Sequence, residues 1–251
     1  MNIRQEKIIE ILRQAASLST LDLARSFDVS DETIRRDLKQ LAEEGIVEKF
    51  HGGVRLSVAN TEAPFEQRLR IQPAAKQAMA QACETLVPDG TTLFLDNSSS
   101  ACFLARLLAR KKGLTIITLS LQSARILAEG GDGNRIIVPG GELRPSDMTI
   151  TGASAIRFAA QFSPELFIFS VAAVSSERGC LDFDLFEAEY KAALMPYAAE
   201  TVLLADASKF GASGLIQTCG LENIGVLVTD APPPAAFAGA FDEETRIIVA
   251  G

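Results

Sequence analysis

The sequence predicts an α/β fold in two parts: an N-terminal winged helix-turn-helix and a larger α/β domain built on a mostly parallel sheet. Three observations carry this expectation. The first 45 residues show helical hydrophobic spacing in three short stretches, followed by a hairpin signal. A polar, non-periodic segment, Ala59-Asn60-Thr61-Glu62-Ala63-Pro64, then interrupts the pattern. Beyond it, continuous apolar runs alternate with helical stretches, the pattern of parallel strands covered on both faces. The expected boundaries are 1–58 for the winged helix-turn-helix, 59–72 for a linker and 73–251 for the α/β domain.

A first helix over residues 4–14 places Ile8, Ile11 and Leu12 on one stripe. A second, over 21–27, follows Thr20, a good N-cap type. After the tight connection Asp28-Val29-Ser30, a third starts behind Ser30, another N-cap type, and runs through Leu41 to a stop signal at Gly45. Two short runs, 46–50 and 54–58, flank His51-Gly52-Gly53 and predict the hairpin. In the second part, a helix over 73–86 leads through Pro88-Asp89-Gly90 into the first of seven expected strands: 92–95, 114–118, 135–138, 166–171, 201–205, 226–229 and 246–249. Ala231-Pro232-Pro233-Pro234 reads as a surface loop.

Composition bounds the function. A chain of 251 residues with 47% hydrophobic and 22% charged content is globular. No apolar run reaches the roughly 18–20 residues a bilayer span needs, and the N-terminus lacks a signal-peptide pattern, so the expected setting is cytoplasmic without a membrane partner. Cys83, Cys102, Cys180 and Cys219 are widely spaced and read as buried thiols. With a single histidine, no metal site is expected, and no cofactor either, since G-x-G-x-x-G is missing after the first strand. The net charge of −8 is unevenly divided: residues 1–60 hold nine basic and ten acidic residues, and the remainder 15 and 22. A near-neutral first segment can still bind DNA if its cations share one face.

They do share one on the third helix. With Ile34 at zero on a helical wheel, Leu38 falls near about 40° and Leu41 near about 340°, while Arg36 lies at about 200°, opposite the core. Glu32, Thr33, Lys39 and Gln40 flank it, with Arg35 at the side. Arginine can bond two acceptors of guanine in the major groove, and the neighbours suit phosphates or base edges. A solvated face with Asp31–Arg35 and Glu32–Arg36 helix pairs is the competing reading. Ser30 sits at the start of this helix. His51, Gly52 and Gly53, between Lys49 and Arg55, suit the DNA backbone or minor groove, or form a plain turn.

The run Val29-Ser30-Asp31-Glu32-Thr33-Ile34-Arg35-Arg36-Asp37-Leu38 followed by His51-Gly52-Gly53 closely resembles the signature of the deoxyribose-operon repressor (DeoR) family. The resemblance continues through Leu95-Asp96-Asn97-Ser98-Ser99-Ser100, Pro139-Gly140-Gly141-Glu142-Leu143-Arg144 and Ala205-Asp206-Ala207-Ser208-Lys209-Phe210-Gly211, so it spans nearly the whole chain. It implies operator DNA as partner, a homo-oligomer matching duplicated half-sites, and a C-terminal domain that resembles sugar-phosphate isomerases and senses a phosphorylated sugar or related metabolite.

The residues point to an anion site in that second domain. Asp96 and Asn97 follow the first strand, and Ser98, Ser99 and Ser100 open the next helix, where hydroxyls and free amides can hold an anion; a serine-rich cap is the alternative. Where the family usually has a Gly-Thr-Thr sequence, Asn97-Ser98-Ser99 keeps the hydroxyls. Lys209, after a later strand, can neutralise a phosphate or pair with Asp206. Gly140 and Gly141 allow close backbone approach or simple chain reversal, with Glu142 and Arg144 beside them. The isomerases it resembles use an Asp-Gly-Ala-Asp segment for proton transfer; this chain has Val171-Ala172-Ala173-Val174, and Glu189 is expected to face solvent. The reading is therefore a ligand-responsive regulator without enzymatic activity. An isomerase-like enzyme with an attached DNA-binding module is the alternative.

Overall fold

Three helices and a hairpin fill the first unit, because each apolar stripe needs the others to leave water. Residues 3–14, 17–43, 46–50, 53–56, 62–131 and 133–251 of the computed structural model are described. The chain divides into two compact units, 1–60 and 61–251. The first contains α1 (Ile3–Gln14), α2 (Thr20–Ser26), α3 (Asp31–Glu43), β1 (Val47–Phe50) and β2 (Gly53–Leu56). Ile8, Leu12, Leu23, Ile34, Leu38, Leu41, Val47 and Val54 form its buried core.

Two local details differ from the sequence expectation. Ser19, not Thr20, caps α2: its backbone is extended and its Oγ accepts from Asp22 N at 3.0 Å, leaving Thr20 as the first helical residue. Gly53 belongs to β2, opposite Phe50, rather than to the turn. A Cβ there would lie 2.6 Å from Leu18 O, so glycine is required by close packing. Leu18 bridges Val54 through two backbone hydrogen bonds of 2.9 and 2.8 Å, adding a third antiparallel segment to the wing. The stop signal at Gly45 and the tip residues His51 and Gly52 lie outside the described residues.

The second unit contains α4 (Phe65–Arg68), α5 (Pro73–Glu84), β3 (Thr92–Leu95), α6 (Ser99–Leu108), β4 (Thr115–Thr118), α7 (Leu121–Ala128), β5 (Arg135–Ile137), β6 (Glu142–Arg144) and β7 (Thr149–Thr151). It continues with α8 (Ala153–Ala159), β8 (Leu166–Phe169), β9 (Ala173–Ser175), β10 (Gly179–Asp182), α9 (Leu185–Leu194), β11 (Glu200–Leu204), β12 (Ile216–Cys219), β13 (Val226–Thr229) and β14 (Arg246–Val249). The seven expected strands form one sheet in the order β14-β13-β11-β8-β3-β4-β5, parallel throughout. Side chains alternate between its faces. Leu93, Leu95, Ile116 and Ile168 join one buried cluster with α5, α6 and α7, while Phe94, Ile117, Phe167 and Phe169 join the other with α8 and α9.

Two small antiparallel sheets, β6-β7 and β12-β10-β9, complete the unit and were not legible as strands. Residues 62–72, expected to be linker, carry α4, whose Phe65 is buried in the core of this unit. The order of strands reverses between β3 and β8, so the carboxyl ends of those two strands frame a crevice of the kind that collects ligands in open parallel sheets.

Candidate DNA interface and effector site

On α3 the structure buries Ile34, Leu38 and Leu41 and turns Glu32, Arg35, Arg36 and Lys39 to solvent. Ser30 Oγ accepts from Thr33 N at 3.2 Å and bonds Thr33 Oγ1 at 2.8 Å, so both hydroxyls fix the start of the helix. Arg35 is held by Asp31 at 2.8 Å and Lys39 lies 3.8 Å from Glu43. Arg36 makes no hydrogen bond or ion pair among the described residues, which leaves its guanidinium available for a base or phosphate. Asp37, which sequence reasoning passed over, is buried and pairs with Arg4 at 2.5 Å, locking α1 to α3. In the wing, exposed Lys49 lies opposite Val54, and the backbone of Arg55 opposite Glu48.

In the second unit, Asp96, Asn97, Ser98, Ser99 and Ser100 are all buried at the carboxyl end of β3. Asp96 organises the turn: Oδ1 accepts from Ser98 N at 3.1 Å and from Ser98 Oγ at 2.7 Å, and Oδ2 accepts from Ser170 N beyond β8 at 2.8 Å. Burial raises its pKa, against the opposing pull of Lys191 and these donors. Ser98 caps α6 by accepting from Ala101 N at 3.0 Å. Asn97 is the hub of a buried network: its amide donates to Glu187 Oε1 at 2.8 Å, Thr149 Oγ1 at 3.0 Å and Asp147 Oδ2 at 3.3 Å, and its oxygen accepts from Tyr190 OH at 2.7 Å. Its saturation makes it a structural tie between the β3 loop, β7 and α9.

Lys209 joins this crevice. Its Nζ donates to Ser170 Oγ at 2.7 Å and to Val171 O at 2.5 Å. It does not pair with Asp206, which instead accepts from Ser208 N at 3.0 Å and from the Ser208 hydroxyl. Arg144 is committed to carboxylates, bonding Asp147 at 2.6 Å, Asp184 at 3.2 Å and Glu187. Glu142 is exposed at the foot of the β6-β7 hairpin. Gly141 is needed there because a Cβ would meet Thr151 O at 2.6 Å; Gly140 has open space around it. Sequence reasoning missed two cations at this edge, Arg68 and Lys76. Lys76 is buried, and its Nζ donates to Ile71 O at 2.9 Å and to Arg68 O.

Elsewhere in this unit, an open cleft of about 640 Å³ includes Glu200, Glu222, Asp242 and Glu244 in its lining, and that acidic rim disfavours a phosphate. Cys83, Cys102 and Cys180 are buried and Cys219 half-buried, all as free thiols. Among the described residues no cluster of three metal-ligating side chains occurs, and no helix is long and apolar enough to cross a membrane.

A DeoR-like helix-turn-helix domain model matches residues 4–59, and a DeoR C-terminal sensor domain model matches residues 71–231. The chain belongs to the DeoR family. It is 33% identical over 249 residues to the HTH-type transcriptional repressor CsqR of Escherichia coli K12, covering 99% of this chain and 95% of that protein. It is 34% identical over 233 residues to the glycerol-3-phosphate regulon repressor of the same organism, covering 93% and 92%. The HTH-type transcriptional regulator GolR of Listeria innocua is 33% identical over 228 residues, covering 90% and 89%. Ribose 5-phosphate isomerase A of Methanocaldococcus jannaschii is a distant likeness, with 15% identity, TM-score 0.39, and coverage of 54% of this chain and 53% of that one.

This DeoR-family chain is thus a DNA-binding transcription regulator with a sensor domain for a small-molecule effector. Residues 171–174 carry no carboxylate, Glu189 is exposed on α9, and the buried Asp182 and Glu187 are tied up by Lys191 and Arg144.

Proposed function

We propose that this chain is a cytoplasmic repressor of carbohydrate-metabolism genes. It binds duplicated operator half-sites as a homo-oligomer through α3 and the wing, and a phosphorylated sugar or polyol releases it. The observation that carries the effector half is the crevice between β3 and β8, where Asp96 ties the Ser98-capped start of α6 to Ser170 and Lys209 bonds the same Ser170. A ligand that favours one arrangement of the sensor by roughly 1–3 kcal/mol changes operator affinity by about 5–150-fold.

The deciding experiment is a thermal-shift screen of the full chain against phosphorylated sugars and polyols beside their unphosphorylated parents. A binder at about 100 times its Kd adds about 2.7 kcal/mol of stability. A response confined to phosphate esters supports the reading, and silence across the panel sinks it. With a hit in hand, Lys209→Ala is expected to raise the effector concentration for half-release of operator by about tenfold or more, the loss of one charge-assisted contact. An unmoved dose response would take Lys209 out of the site.

On the DNA side, Arg36→Ala is expected to weaken operator binding by about 1–3 kcal/mol and to relax base preference at one position in each half-site. Competition against single-base operator variants reads this directly. Equal weakening on every sequence would make Arg36 a phosphate contact instead.

A further inference from the structure

Two of the four cysteines face each other. Cys180 in β10 and Cys219 in β12 are direct partners across an antiparallel ladder, although they stand far apart in the chain. Directly opposite residues of such a ladder point to the same face, with Cα atoms about 4.5–5.5 Å apart. That separation lies inside the range of roughly 4.4–6.8 Å that a disulfide spans without backbone movement. The two strands approach closely at this point: Gly179 has φ +76°, and a Cβ there would lie 2.2 Å from Cys219 O. Beside the pair, Thr218 Oγ1 of β12 donates to Asp182 Oδ2 of β10 at 2.8 Å, so the strands already hold the arrangement that a bridge would fix.

The two thiols differ in access. Cys180, on the central strand of β12-β10-β9, is fully buried, whereas Cys219, on an edge strand, is half-buried. Both pack against the apolar cluster that contains Val174 and Phe210. The neighbouring Cys219 thiol and burial push the pKa of Cys180 well up, so Cys180 remains a protonated thiol. A buried cysteine alone is a small apolar filler. Two in direct register with unequal access have the arrangement of a reacting and a resolving thiol.

We propose that Cys180 and Cys219 form a redox-modification site on the sensor domain, which a small hydroperoxide converts to an intramolecular disulfide that staples β10 to β12. The Cys219 thiolate attacks a peroxide oxygen and the O–O bond breaks, leaving a sulfenic acid on Cys219 and, after protonation of the leaving oxygen, water or an alcohol. The Cys180 sulfur then displaces hydroxide from the Cys219 sulfur. The S–S bond forms, and the Cys180 proton leaves with the hydroxide as water. Together the two sulfurs lose two electrons, which the peroxide gains. A half-buried thiol on a packed strand favours this small oxidant over a bulky low-molecular-weight disulfide.

The test treats the reduced full chain with hydrogen peroxide and maps its peptides without reduction. The expected product joins Cys180 to Cys219, leaves Cys83 and Cys102 free, and reverts with dithiothreitol. Closing a loop of about 40 residues is expected to raise Tm by about 5 °C or more. Cys180→Ala removes the resolving thiol, so the Cys219 sulfenic acid should persist and be captured by dimedone. Cys219→Ala removes the reacting thiol, so both the disulfide and the dimedone adduct should vanish; this variant keeps the test decisive even if Cys180→Ala folds poorly.

Met148, 40% exposed, serves as an internal clock for the peroxide. No cross-link by the time Met148 is oxidised, or a cross-link of Cys219 to Cys83, to Cys102 or to a second chain, would overturn the site. So would a dimedone adduct on Cys180 in Cys219→Ala. A Cys180–Cys219 bridge that leaves Tm unmoved would overturn the staple.

Discussion

Lys191→Met is expected to cost the larger unit about 3–5 kcal/mol at neutral pH, because it strands carboxylates that the protein has already buried. Lys191 is 3% exposed, and its Nζ lies 3.0 Å from Asp182 Oδ2 and 3.6 Å from Glu187 Oε2. Asp182 also accepts from Thr218 Oγ1 at 2.8 Å and Ala172 N at 3.1 Å, so it cannot swing out to water without breaking the β10-β12 contact. For a unit of this size the cost corresponds to a fall in Tm of about 6–20 °C. The pH dependence follows from the signs. Burial raises the pKa of Glu187 even with Lys191 and Arg144 opposing the rise. Without Lys191 it climbs further, so protonation relieves more strain in the variant than in the parent, and the gap should narrow as pH falls from about 8 to about 5. Lys191 itself, whose pKa is raised by Asp182 and Glu187 against desolvation, stays charged across that window. Thermal melts at both pH values decide the matter; a gap below about 1 kcal/mol, or one independent of pH, would mean that the carboxylates do not depend on Lys191. Replacing Asp182 together with Lys191 by apolar residues should recover part of the loss, since the penalty lies in the stranded charge rather than in the missing pair.

The parallel strands were legible because each is a mostly apolar run of three to five residues, and those in the middle of the sheet have both faces covered. Leu166, Phe167, Ile168 and Phe169 alternate between two cores, so nothing polar interrupts the signal. The small sheets hid because their strands contain Arg144, Thr149 or Gly179, and in β12 pair across a wide gap in the chain, as Cys180 does with Cys219. At the site, position after a strand was enough to single out 96–100, but not to say what each residue does. Asn97 looked like a ligand contact, and its partners Glu187 and Tyr190, 90 and 93 residues away, take up its amide and its carbonyl. Arg68 fell in a stretch read as linker. Lys76 carried a signal that went unused: a lone cation in the first turn of an alanine-rich helix opposes the helix dipole and needs a reason.

Leu38→Ala is expected to remove about 2–5 kcal/mol from the DNA-binding unit, and that loss should abolish operator binding although Leu38 never reaches the DNA face. The side chain is 1% exposed in a core to which every element of a unit of about sixty residues contributes. Domains of that size bury a smaller share of their surface and hold only a few kcal/mol in reserve, so most molecules would have this unit unfolded. Apparent affinity then falls in proportion to the folded fraction, whatever α3 offers to the groove. The sensor has two buried clusters of its own, so its melting and its response to ligand should persist. Calorimetry separates this outcome from that of Arg36→Ala, which removes an exposed guanidinium and should weaken binding without moving either transition. A Leu38→Ala protein whose sensor melts earlier by the same amount would show that the two units unfold as one, and the loss of binding could no longer be assigned to the small core alone.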